Sequence, residues 1–352
     1  MSKIRFILLP FSWIFAGIAA LRNLFFDAGI LKSTSYNLPV ISVGNITVGG
    51  TGKTPFAEYL IGRFSETMRC ALLSRGYGRD TKGVVIADNA STYNDIGDEP
   101  MQMKMKFPNL AVVVAEKRTL GMETLLNLHS PPEIVIMDDA YQHRYVKPDF
   151  SVLIMDYYRP VWKDFCLPAG NLRESKKGIK RADVIVINKC PANLTMDEAQ
   201  SIKEKLKPEN EQNLFFTSIS YKEPVSLTGK SDKTFCQVVE STKAPLVAIA
   251  GIGNPEPFFE MAKKFGALAK TFRFRDHHKF SINDFNKIIS STSHDEMPLI
   301  LTTEKDAIRI KAIPELTPQL ANSIWYVPIE LDFLFNDKIL FDKKIDNYVT
   351  KN

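Results

Sequence analysis

The stretch TVGGTGKTP, residues 47–55, limits what this chain can fold into more than any other. It follows the apolar run LPVISVGN and precedes TPFAEYLIGRF, whose apolar residues recur with a period near 3.6. A buried strand, a glycine-rich turn and a helix opening on Gly-Lys-Thr make a phosphate-binding loop of the pattern G-x-x-x-x-G-K-[ST]. Thr47 stands where the first glycine usually falls. Gly49, Gly50 and Gly52 let backbone N–H groups turn onto phosphate oxygens. The expected nucleotide loop is therefore Thr47, Val48, Gly49, Gly50, Thr51, Gly52, Lys53 and Thr54. Lys53 would neutralise the β and γ phosphates of ATP, Thr54 would offer its hydroxyl to Mg²⁺, and the helix N-terminus would add its dipole.

A second apolar run, EIVIM, ends in Asp138 and Asp139. Carboxylates at a strand end suit the Walker-B position, where they hold Mg²⁺ directly or through water. Further apolar runs follow in RCALLS, LAVVVA, DFSVLIMD and RADVIVIN, with helical stretches between them. They predict an α/β fold with a mostly parallel sheet covered by helices on both faces. The texture changes across residues 215–238, read as a two-stranded hinge or linker. The expected domains are a membrane-associated helix at 1–24, a P-loop domain at 25–214 and a smaller α/β domain at 239–352.

The N-terminus carries IRFILLPFSWIFAGIAAL, residues 4–21, with Arg5 as its one charge. Its length is close to the roughly 17–25 apolar residues of a membrane span. No A-x-A cleavage site follows, which argues against a secretory signal. Trp13 and the phenylalanines suit an interfacial helix, so a membrane anchor is expected, spanning or lying on the bilayer. The net charge of +5 suits an acidic ligand or anionic membrane and is too small to argue for nucleic acid. The four cysteines form no CxxC pair, which fits a reducing compartment.

Two other switch-like readings fail on single residues. NKCP lacks the aspartate of the guanine-reading N-K-x-D motif, since Pro191 stands there. Val48 replaces the leading lysine of the partitioning-ATPase loop. A kinase needs a group that orients or deprotonates the acceptor, and the candidates are the carboxylates of GDEP and the imidazoles of RDHHKF. Basic loops that could hold an anionic acceptor contain Arg75 and Arg79, Lys117 and Arg118, and Arg173. A membrane-recruited regulatory NTPase and a nucleotide-sensing scaffold are the alternatives, and neither needs an acceptor base.

VGNITVGGTGKTP, SRGYGR, GDEP, DDAYQHR, LPAGNLRE, AGIGNPEPFF, DHH and TEKDA occur in this order. Together they resemble the tetraacyldisaccharide 4'-kinase family over roughly residues 38–310. The resemblance implies ATP- and Mg²⁺-dependent phosphorylation of the 4'-hydroxyl of a tetraacylated glucosamine disaccharide 1-phosphate, a lipid A precursor. It places the reaction at the cytoplasmic face of the bacterial inner membrane, against inner-membrane lipid, with no nucleic acid and no obligate protein partner. It implies Asp98 and His277 as a catalytic pair beside Lys53 and Asp139, and Thr54, Asp138 and Asp139 around the metal. On the acceptor side it implies Arg75, Tyr77, Gln142, His143, Asn171 and Arg173, to which the basic loops add Arg79 and Arg118. Ala140 and Asn171 depart from the family's usual glycine and proline.

Overall fold

The structure is a computed structural model that describes residues 5, 7–229, 231–292 and 296–350. Residues 1–4 and 6 of the expected anchor lie outside this set. The strands in chain order are β1 (Val40–Gly44), β2 (Cys70–Ser74), β3 (Val85–Ile86), β4 (Ala111–Val114), β5 (Ile134–Asp138), β6 (Phe150–Asp156) and β7 (Val184–Asn188). They continue with β8 (Asn213–Tyr221), β9 (Val225–Ser226), β10 (Leu246–Ala250), β11 (Leu268–Arg273), β12 (Leu299–Thr303), β13 (Ile324–Val327) and β14 (Ile329–Phe333).

The larger sheet has the order β14-β8-β7-β6-β1-β5-β2-β4-β3. All its pairings are parallel except those of the two edge strands, β14 on β8 and β3 on β4. β1, β2, β5, β6 and β7 are buried at every position, which is why each reads as an unbroken apolar run without alternation. Register then sets the site. Val43 pairs with Asp138, so the loop that leaves β1 and the carboxylates that end β5 emerge side by side at the carboxyl edge of the sheet. Gly44 allows the close crossing there, since a Cβ on it would lie 2.6 Å from Cβ of Tyr141.

The smaller sheet has the order β11-β10-β12-β13-β9, parallel except for the β9 edge. The division of the chain differs from the expected changeover at residues 215–238. β8 is a full member of the first sheet, and the chain crosses between sheets twice, between β8 and β9 and again between β13 and β14. Lys222 N donates to Pro328 O at 2.9 Å and ties the two crossings together. β14 and the helix Lys338–Val349 return to the first domain, where Phe341, Ile345 and Val349 share a core with Phe56 and Phe215. The end of the expected two-stranded stretch, TFCQVV at residues 234–239, is instead the start of the helix Phe235–Ser241. Thr234 Oγ1 accepts from Gln237 N and Gln237 Oε1 accepts from Thr234 N, a capping box that outweighs the β preference of the paired valines.

The apolar N-terminal segment forms the helix Leu9–Asp27, long and apolar enough to cross a membrane, with a mean hydropathy of 1.4. Ser12 and Phe26 are buried on the protein, and Phe11, Trp13, Ile14, Ile18, Leu21 and Leu24 are exposed. The helix is fastened near both ends. Ala169 N donates to Ser12 Oγ at 2.9 Å, and Arg22 donates to Gln142 O at 3.0 Å. It therefore lies along the catalytic domain with its large apolar side chains turned outward.

Candidate active site

The phosphate loop leaves β1 and enters the helix Lys53–Phe64 through Gly52, whose φ of 92° is the left-handed conformation that glycine adopts without strain. A Cβ on Gly52 would sit 1.9 Å from Nδ2 of Asn188, which donates to Thr51 O at 3.1 Å. Along one flank Val48 N donates to Asn171 O and Arg173 N donates to Ile46 O, so the LPAGNLRE loop runs as a short antiparallel neighbour. On the other side Arg159 donates to Val48 O at 3.2 Å and to Gly50 O at 3.3 Å. Lys189 also donates to Gly50 O. Both cations share Asp156, at 3.1 and 3.0 Å. With these carbonyls held outward, the loop's N–H groups are left to converge on an anion. No acidic side chain occupies the first turn of the following helix to compete for that position.

Lys53 Nζ lies 3.5 Å from Asp139 Oδ1, and Arg173 donates to the same oxygen at 2.9 Å. Burial pushes the Asp139 carboxyl up, but Lys53 and Arg173 outweigh it and leave the pKa below the ordinary value. Asp138 behaves oppositely. Its buried carboxyl is driven up, chiefly by desolvation and then by the charge of Glu99, with Lys53 opposing. The Asp139 N–H donates to it at 2.9 Å. Asp138 and Asp139 end the strand beside β1, from which the loop to Thr54 departs, and are hard oxygen donors of the kind that fit Mg²⁺. Among the described residues no three His, Cys, Asp or Glu side chains cluster as an all-protein metal cage.

The second domain reaches this edge through two elements. Asp98 begins the helix Asp98–Lys106, entered through Gly97 at φ 92°. His277 follows β11, itself at φ 58°, and its Nδ1 lies 2.8 Å from Asp98 Oδ2. Arg309, on the helix Glu304–Lys311, donates to the same oxygen from Nε at 3.0 Å and Nη2 at 2.6 Å. Burial would raise the Asp98 carboxyl, but the hydrogen bonds from His277 and Arg309 and the charges of Arg309 and Lys305 prevail and hold it at about 2.

The residues expected on the acceptor side separate into two groups. Arg75 and Tyr77 are exposed at the cleft, and the Tyr77 ring meets His277 edge-on at 5.9 Å. Gln142 donates to Asn45 O at 2.7 Å and to Glu174 at 2.9 Å, beside Arg173. His143 packs near Arg118, and burial together with the charges of Arg118 and Arg22 lowers its pKa. Three side chains are engaged elsewhere. Arg79 is 3 % exposed and bound to Glu116 and Gly83 O. Arg118 is buried beneath the aspartates, bound to Ala115 O, with its pKa brought down to about 10 by desolvation. The Asn171 amide donates to Asp164 at 3.0 Å. Each is committed to internal partners: Arg79 ties its own loop to Glu116, Arg118 caps its helix against Ala115 O, and the Asn171 amide ties LPAGNLRE to Asp164.

Sequence reasoning did not single out Arg159, Lys189, Arg309, Lys305 or Glu174. Lys189 had been weighed only as a guanine reader. Lys305 and Arg309 carried one usable signal, their i, i+4 spacing on one helical face after β12.

The sequence profile of the family described as tetraacyldisaccharide-1-P 4'-kinase matches residues 4–350. A tetraacyldisaccharide 4'-kinase of Flavobacterium johnsoniae is 43% identical over 352 residues, covering 100% of this chain and 99% of the relative. One from Bacteroides thetaiotaomicron is 41% identical, covering 99% and 94%. Among solved structures, LpxK from Aquifex aeolicus in complex with ATP superimposes with a TM-score of 0.76 at 29% identity, covering 99% of this chain and 100% of that one. With the family profile matched over residues 4–350 and relatives matched end to end, the chain belongs to the tetraacyldisaccharide-1-P 4'-kinase family.

Proposed function

We propose how this ATP-dependent 4'-kinase of lipid A biosynthesis carries out its transfer. ATP docks on residues 47–54, with Lys53 between the loop and Asp139. Asp138, Asp139 and Thr54 would hold Mg²⁺, which when bound neutralises charge on the transferring phosphate. The acceptor, a tetraacylated glucosamine disaccharide 1-phosphate, keeps its acyl chains in lipid beside the exposed face of the Leu9–Asp27 helix. Arg75, Tyr77, Gln142, His143 and Arg173 meet its polar head. The site works at the cytoplasmic face of the inner membrane, where ATP is available.

Asp98 orients the 4'-hydroxyl and takes its proton as the hydroxyl oxygen bonds to the γ-phosphorus and the bond to the β-phosphate oxygen breaks, releasing ADP. A transition state with little bond formation asks mainly for positioning and charge neutralisation, so a carboxylate of low basicity suffices. His277 keeps that carboxylate in place. The observation that carries this reading is the 2.8 Å contact between Asp98 and His277, which joins the two domains at the mouth of the nucleotide loop. The test follows labelled γ-phosphate from ATP. Transfer to the lipid A precursor is expected, lost on Asp98→Asn and reduced on His277→Ala. Release chiefly as free phosphate would favour a regulatory NTPase instead.

A further inference from the structure

We infer that Arg309 is a positioning residue which lets the second domain assemble the reacting pair. It rests on the assignment of Asp98 and His277 as that pair. Arg309 is 1 % exposed, yet its donors are all spoken for. Nη1 donates to Asp306 Oδ1 at 2.9 Å and to Gly251 O at 3.2 Å, both in the second domain. Asp306 is itself fixed, accepting from Gly251 N at 2.8 Å and Thr303 Oγ1 at 2.7 Å. Nε and Nη2 then reach across to Asp98 in the first domain. The planar guanidinium is thus clamped at one end and brings two donors, Nε and Nη2, onto Asp98 Oδ2 at the other, a fixed span that lysine cannot reproduce.

The same cradle holds His277, whose backbone N–H donates to Gly251 O at 3.2 Å. Gly251 O therefore serves both groups that grip Asp98, and a shift of the second domain moves them together. Two neighbouring ion pairs run in parallel across the interface, Lys305 to Glu99 at 3.2 Å and Lys106 to Glu304 at 2.7 Å. Opening about the two crossing strands would take Arg309 and His277 away from Asp98 at once. ATP would still find its loop intact, since that loop is built from the first domain alone. Arg309 thereby ties the reactive arrangement of Asp98 to the closed molecule, which limits turnover when no acceptor holds the domains shut.

Steady-state kinetics on the full chain, with ATP and the acylated disaccharide in mixed micelles, tests this. Arg309→Gln is expected to lower kcat by about tenfold or more, with KM for ATP within about twofold. Asp98→Asn should then cost far less in the Arg309→Gln background than alone. The acid limb of kcat should also move to higher pH. Asp98 faces His277, Arg309 and Lys305, and losing the guanidinium makes its carboxylate easier to protonate. Guanidinium ion added to Arg309→Ala should restore part of the rate, while sodium chloride of equal ionic strength should not. An unchanged kcat and acid limb in Arg309→Gln, with Asp98→Asn inactive, would overturn the inference and leave the pair standing. Normal turnover by Asp98→Asn would overturn both. If Arg309→Gln does not fold, Arg309→Lys carries the test, with a reduced kcat expected and a wild-type kcat overturning the role.

Discussion

Lys53 and Asp139 show how one contact can be read at two stages of a reaction. At 3.5 Å they form an ion pair, and on the proposed mechanism the same ammonium would serve the phosphates of ATP. Lys53→Ala is expected to lower kcat by on the order of a hundredfold, since it removes charge stabilisation that grows in the transition state. Labelled-phosphate transfer at saturating ATP measures it. Gly52→Ala is a sharper test of the loop, because any Cβ meets the Asn188 amide and the φ of 92° is strained for alanine. ATP binding followed by calorimetry should fall at least about tenfold with little change in the helix content of the chain. These two residues were legible in the sequence because the loop motif fixes their roles by spacing. Arg309 was not, since what matters is its reach across 211 positions of sequence to Asp98, and spacing within a helix says nothing of a partner so distant.

Among the elements, the helix Leu9–Asp27 shows what sequence could and could not say. Its apolar character was plain, but whether it spans or lies flat depends on what its other face touches. Ser12, Asn23 and Phe26 show that one face touches the protein. Ser12 and Asn23 bond to Ala169 and Glu174, and Phe26 sits between Arg22 and Arg144 at 5.2 and 5.0 Å from its ring. A helix held at both ends by the catalytic domain presents one side to lipid and keeps the other on the protein. Replacing Phe11, Ile14 and Ile18 together by serine should cut partitioning onto vesicles by well over tenfold, given about 1.5–3 kcal/mol for each buried apolar side chain. Co-sedimentation measures this, and unchanged partitioning would count against the anchor. The strands were the easiest elements to read, since complete burial on both faces leaves unbroken apolar runs. TFCQVV was misread because a capping box is only two side chains long, while β-branched residues dominate the local composition.

For the molecule as a whole, the sequence made two α/β units visible and hid how the chain is shared between them. β14 and the helix Lys338–Val349 carry few signals beyond amphipathic spacing, and their partners, β8 and the core around Phe56 and Phe215, are remote in sequence. Phe341 is fully buried against Phe56 and Phe215, with ring centroids 5.4 Å from each. Phe341→Ala should destabilise the chain by about 3–5 kcal/mol. Chemical denaturation followed by intrinsic fluorescence should show this as an earlier transition, and loss of the ATP site should accompany it, since Phe56 lies on the helix that begins at the phosphate loop. Arg63 and Asp342, paired at 3.2 Å, fasten that same helix to the returning segment.

The returning segment also sets an order of events during synthesis. The lipid-seeking helix emerges first, whereas the packing of the nucleotide domain is incomplete until β14 and the Lys338–Val349 helix have been made. A nascent chain therefore exposes an apolar helix well before the core behind the phosphate loop can close. The order of the elements along the chain thus puts the apolar helix ahead of the last pieces of the nucleotide domain's core.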